Sequence, residues 1–135
     1  MADLVVFDTN VWISGLLWRG APYRCVLLAR AKVVRPVYCS EMLAELSRKL
    51  RNPFGFSENE LAAVLYDYKR ISTRVAIDDT RRFVPDDPDD DKFLACALVA
   101  DCRVVVTSDK HLLSLASCEG VELLRPAAFL ARFEH

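Results

Sequence analysis

The stretch PDDPDDDKFLACALVADCRVVVTSD, residues 85–109, holds five aspartates between positions 86 and 91 and then runs into eight consecutive apolar residues. Carboxylates a few ångströms apart repel, and burial makes the repulsion worse. Such a cluster is therefore tolerated only when it is solvated, protonated or bridged by a cation. Other acids have a similar setting: Asp8 ends the apolar run LVVF, Glu45 lies in SEMLAEL, and Asp109 ends VVVTSD. Taken singly, each has a plain reading. Asp8 caps a helix in DTN, Glu45 is a solvated helix residue, and Asp109 adds negative charge at a helix start. If they converge, four or more carboxylates with no histidine among them form a hard oxygen cage suited to Mg2+ or Mn2+. Two such ions ~3.5–4 Å apart activate a water and stabilise the leaving oxygen of a phosphodiester. Convergence depends on the elements that carry them.

LVVF at 4–7 reads as a strand, and Trp12, Ile13, Leu16 and Leu17 follow at helical spacing as a core stripe. Gly20 and Pro22 break that helix; 23–31 is a second helix and 33–38 a second strand, with Pro36 inside it. Ser40 is placed to cap a helix to about Leu50, with Leu43, Leu46 and Leu50 as its buried stripe. NPFGF is a loop. Ser57 and Glu60 then make a capping box for a helix through about Ile71, with Leu61, Val64, Leu65 and Tyr68 inward. Residues 73–77 form a third strand, the aspartate run opens a helix at about 89–100, and 103–107 form a fourth strand. A short helix follows Asp109, VELL at 121–124 is an edge strand, and Pro126 starts the last helix. Strands alternate with helices and no NG or DG hairpin signal occurs. The fold class is therefore α/β, a mainly parallel sheet of about five strands with helices on both faces. Ligand sites in such sheets lie outside the carboxyl ends of the strands. Asp8, Glu45, Asp86 to Asp91 and Asp109 then share one edge.

At 135 residues and 53% hydrophobic content, residues 1–135 suffice for one domain with a real core. Eighteen cations against nineteen acids give −1; without the five acids of 86–91 the balance is +4. Thirteen of the cations are Arg, the side chain suited to bidentate phosphate contact, but a pI near 6.1 argues against a dedicated high-affinity nucleic-acid binder. An anionic ligand must be held locally. Five cysteines with no CxxC pair read as reduced core thiols and a cytoplasmic protein. No leader opens the chain and no apolar stretch approaches the ~18 residues of a bilayer span. His111 and His135 are too few for histidine hydrolysis or a zinc cage, and His111 reads as a surface helix residue. Four scattered glycines supply no phosphate loop. A calcium loop starting at Asp87 would put Lys92 at its glycine and Leu98 at its terminal glutamate. A receiver-type signalling domain lacks its paired acids in FDTN and its lysine in LLRPA.

VVFDTNVWIS at 5–14, SEMLAEL at 40–46, DPDDDKFLACAL at 87–98 and VVVTSDKHLL at 104–113 resemble, in that order and over nearly the whole chain, the PIN domain. The likeness is closest to its branch of bacterial and archaeal toxins, the VapC-like ribonucleases. The resemblance implies a three-layer α/β/α sandwich and a Mg2+- or Mn2+-dependent endoribonuclease acting on RNA. Members are often homodimers held inactive by a small antitoxin protein. It puts the family's acids on Asp8, Glu45, Asp90 and Asp109, its polar neighbour of the first acid on Asn10, and its polar pair before the fourth on Thr107 and Ser108. Asp8, Asp90 and Asp109 would hold the principal ion, and Glu45 a second ion or a water. Asp87 and Asp91 stand close enough to share the part of Asp90, because FLACALVA is apolar all round and its phase does not decide; Asp90 does lie three and four residues before Phe93 and Leu94. The remaining acids of the run are a surplus left to solvent. Arg19, Arg24, Arg81 and Arg82 are the candidates for contact with RNA. The rival reading is a catalytically silent PIN module that binds RNA or protein.

Overall fold

The run DLVVF becomes β1 (Asp3–Phe7), whose last three residues are all buried. A strand covered on both faces reads as a continuous apolar run, and β1 occupies the middle of the sheet. It is flanked in parallel by β2 (Val34–Tyr38) and β4 (Val104–Val106). Outside β2 lies β3 (Thr73–Arg74), and outside β4 lies β6 (Val121–Leu124), both parallel to their neighbours. An antiparallel strand, β5 (Ser117–Cys118), closes the order β3-β2-β1-β4-β6-β5. The computed structural model describes residues 2–77, 83–84 and 88–133.

The mainly parallel α/β sheet agrees with the alternation in the sequence, and two strands differ from it. The third strand ends at Arg74 rather than at 77, because β2 ends at Tyr38, whose carbonyl accepts the last rung from Val75 N at 2.8 Å. VELL is not at the edge: β5 covers it through a two-residue turn, Glu119–Gly120, with φ of 50° and 87°. Two positive φ values in succession are what a hairpin turn matching the twist of its strands requires, and Glu-Gly supplies them without the usual Asn or Asp.

Among the described residues seven helices accompany the strands: α1 (Thr9–Leu17), α2 (Ala21–Arg30), α3 (Ser40–Arg51), α4 (Glu58–Arg70), α5 (Asp91–Val99), α6 (Lys110–Leu113) and α7 (Pro126–Ala131). One 3₁₀ turn, Pro88–Asp90, precedes α5. The first helix is amphipathic only in part: Trp12 and Ile13 are buried, while Leu16 and Leu17 are half-buried. Trp12 packs edge-on against Phe7 at 5.4 Å and Tyr68 at 4.7 Å between ring centroids, locking α1 and α4 to β1. The capping box of α4 is complete, with Glu60 N donating to Ser57 Oγ at 3.1 Å and Ser57 N to Glu60 Oε1 at 2.8 Å. The start of α3 corrects the sequence reading. Its N-cap is Cys39, and Ser40, already helical, donates its hydroxyl to Glu41 Oε1 at 2.6 Å. The buried stripe is Met42, Leu46 and Leu50, with Leu43 only half-buried.

α1 and α2 meet closely at Gly15, where a β-carbon would stand 2.7 Å from Val26 Cγ2 and 2.9 Å from the Pro22 carbonyl oxygen. Alanine is intrinsically better in a helix by about 1 kcal/mol, but a clash with backbone cannot be relieved by a rotamer change. Gly15→Ala should therefore destabilise the fold by about 1–3 kcal/mol in urea titration. A stabilised variant would show that the two helices separate freely.

Candidate active site

The chain leaves β1 at Asp8 and turns at once into α1. Asp8 is the N-cap: its Oδ1 accepts from Val11 N at 2.8 Å, and the residue is 3% exposed. At the end of the adjacent β4, the fully buried Thr107 donates its hydroxyl to Asp8 Oδ2 and accepts from the backbone N–H of Asp109 at 3.0 Å. Asp109 in turn caps α6, its Oδ1 accepting from His111 N at 2.7 Å and Leu112 N at 3.3 Å. Glu45 reaches the same place from the second turn of α3, and Asp90 from the 3₁₀ turn before α5. Asp8, Glu45, Asp90 and Asp109 thus line one cavity of about 180 Å3, with Thr9, Asn10 and Phe93 in its wall. A larger cavity of about 650 Å3 lies by the first residues of β1, β2 and β4, at the opposite end of the sheet from the four acids.

Burial disfavours the charge on Asp8, and the nearby Asp109 and Glu45 carboxylates add to that, against the hydrogen bonds from Thr107 and Val11; the net result lifts its pKa to about 6. Glu45 goes the other way. Burial pushes it up, but Thr9 and Lys92 beside it and the charge of Lys49 outweigh burial and hold it below its ordinary value. The Thr9 hydroxyl is buried close to Glu45 without a well-formed hydrogen bond of its own.

The aspartate run is resolved by its hydrogen bonds. Asp91 Oδ1 accepts from Phe83 N at 2.9 Å and Val84 N at 2.8 Å, so this acid is not a solvated surplus but the tie that holds residues 83–84 against α5. It does not line the cavity. Asp90 makes no capping bond, lines the cavity and buries Oδ2. Asp89 lines it too, with an exposed side chain. Asp86, Asp87, Arg81, Arg82 and His135 lie outside the described residues.

Among the supporting candidates, Asn10 lines the cavity and Thr107 joins two of its acids, whereas Ser108 is exposed and outside it. Neither Arg19 nor Arg24 lines the cavity; Arg19 lies over the Tyr23 ring, 5.6 Å from its centroid. His111 is half-buried at the start of α6. Three cations that the sequence reading did not single out stand here instead. Arg48 and Lys49 line the cavity, three and four residues after Glu45, the spacing that puts helix residues on one face. Lys92 donates to Glu45 Oε2 at 2.9 Å and to the Asp89 carbonyl.

All four carboxylates offer the hard oxygens that a divalent cation takes, and the charge that burial and its neighbours hold off Asp8 is what such a cation would restore. Among the described residues no three acids are already close enough to form a ready ligand set.

The matching of sequence and architecture places this chain in a known class. It belongs to the PIN domain family, which it matches over residues 4–111. PIN domains are generally nucleases. In fold it is similar to VapBC2 from Rickettsia felis, a structure containing a DNA fragment from their promoter, with a TM-score of 0.64 and 13% identity over 90% of this chain and 98% of that one. It is similar too to PAE2754 from Pyrobaculum aerophilum, at 0.58 and 12% over 97% and 88%, and to the PIN domain of T. brucei RRP44, at 0.51 and 14% over 98% and 82%. At such identities the likeness is one of fold. No curated protein matches the chain.

The raised pKa of Asp8 has a direct thermodynamic sign. In EDTA the folded protein holds a proton on Asp8 up to about pH 6, whereas the unfolded chain releases it near the ordinary carboxyl value of 3.8. The folded state binds more protons between those values, so this group lowers stability as pH rises through the window, by roughly 3 kcal/mol, and the loss persists at neutral pH. Asp8→Asn should melt at or above wild type at pH 7 in EDTA, with the advantage gone near pH 4. A wild type that gains stability relative to the variant as pH rises would contradict a strained carboxylate.

Proposed function

We propose that the chain is a Mg2+- or Mn2+-dependent endoribonuclease serving as the toxin of a toxin–antitoxin pair in the cytoplasm. What supports this best is the delivery of four carboxylates by four separate elements to one small cavity, in a chain of a nuclease family. When bound there, a divalent ion supplies Lewis acidity toward water and toward the phosphodiester. Asp8, Asp90 and Asp109 would hold it. Two of these are immobilised before any ligand arrives, Asp8 by Val11 and Thr107 and Asp109 by the first amides of α6, so little ordering remains at the moment of reaction. Glu45 faces the same space and is ionised, which suits it to orient a water and draw off its proton. Arg48 and Lys49 sit at the rim, where they would hold the phosphates of a single strand. Asn10 contributes a neutral donor to the same wall.

A small antitoxin and a second copy of the chain are the proposed partners. The likeness to the VapBC2 assembly supports the first. A basic side chain entering an acidic cavity replaces the charge of a metal ion and gives such an inhibitor a simple way to act. Five thiols without a disulfide accord with a reducing compartment, and no helix is long and apolar enough to cross a membrane among the described residues.

Cleavage of a labelled RNA in Mn2+ and in EDTA tests the reading. Asp8→Asn, Asp90→Asn and Asp109→Asn should each lose at least ~100-fold in kcat, whereas Asp91→Asn should lose ~10-fold or less, about 1.4 kcal/mol of barrier. Arg48→Ala and Lys49→Ala should raise KM several-fold with less effect on kcat. Expression of the wild type should slow growth, and coexpression of the antitoxin should restore it. Soluble wild type with no metal-dependent cleavage of any RNA would leave the silent module as the better description.

A further inference from the structure

Lys92 gives the cavity a cation of its own. Its Nζ pairs with Glu45 Oε2 at 2.9 Å, donates to the Asp89 carbonyl and stands 4.7 Å from the centroid of the Phe93 ring. Lysine and glutamate are both 13% exposed, far less than the surface pair Arg51–Glu58 at 52% and 78%. A carboxylate, a carbonyl and an aromatic face thus replace the water that the ammonium gave up.

We propose that Lys92 is a positioning residue that takes the place of a second metal ion, so that the cavity admits one divalent cation at Asp8, Asp90 and Asp109, with Glu45 anchored to Lys92. The inference rests on the metal-dependent reading above and fixes its stoichiometry. A divalent ion on the other oxygen of Glu45 would have to sit beside a mostly buried ammonium and face it as a like charge.

Counting bound Mn2+ tests this without reference to turnover. Calorimetric titration of the purified wild type should give one Mn2+ per chain, with the electron paramagnetic resonance spectrum of an isolated ion. Lys92→Met should take up a second Mn2+ and show the spin-coupled spectrum of a pair, whereas Lys92→Arg should stay at one. Glu45→Gln, which keeps the shape of the side chain, should still bind one Mn2+ with affinity within about threefold of wild type. Asp8→Asn should lose the ion, which identifies the counted site as the cavity. Two ions in the wild type would overturn the inference, as would an unchanged count in folded Lys92→Met or loss of the ion in Glu45→Gln. Absence of Mn2+ binding by the wild type would remove the metal-dependent reading beneath it. If Lys92→Met does not fold, the counts of the wild type and Glu45→Gln decide alone.

Discussion

One hydroxyl couples the two halves of the site. Thr107 stands at the end of β4, donates to Asp8 at the end of β1 and accepts from the backbone of Asp109 at the start of α6. Parallel pairing of β1 with β4 brings the two strand ends level, the backbone ladder running on to Asp8 N and Val106 O at 3.0 Å. The threonine then converts that register into a fixed spacing between two carboxylates. A buried hydroxyl with both its roles taken has no rotational freedom left, so a shift of either strand would break a hydrogen bond in a place water does not reach. Sheet register and site geometry are the same constraint.

Asp8 and Asp109 also show that helix capping and participation in a site are not rival explanations. Each begins a helix, and each uses Oδ1 for the amides of the first turn. A carboxylate has two oxygens and about four lone-pair directions, so a cap consumes only part of its capacity. Capping has a further effect: it orients the plane of each carboxylate from the backbone, with no dependence on a long side chain. Glu45 is held by the Lys92 side chain rather than by a capping amide.

The sheet and the shared edge of the acids were legible because they follow from alternation of apolar runs with helical stripes, and because Asp8 and Asp109 come directly after strands. Where the reading missed, a side chain acted across the fold or a local signal had an unusual form. Only its spacing to Phe93 and Leu94 separates Asp90 from Asp91 in the sequence; in the fold the amides of Phe83 and Val84 return to claim the latter. Lys92 follows three acids and so reads as one more surface charge, yet its partner is 47 residues away. Arg48 and Lys49 were open to inference from their spacing to Glu45, once that residue was assigned to a site. The β5–β6 hairpin turned on Glu-Gly, a left-handed pair without a side-chain signal as strong as Asn-Gly. The cap of α3 fell one residue early because Cys39 takes the extended backbone that Ser40 was expected to take, and Met42, four residues before Leu46, takes the buried place expected of Leu43, three before it.

The two boundary strands, β3 and β5, have only two residues each. An edge that short offers a foreign strand one or two rungs of hydrogen bonding, too few to offset the entropy of ordering it. The described sheet is in this sense self-terminating. A protein partner would then have to dock on side chains rather than on backbone, and recognition by side-chain shape is open to change by a single substitution.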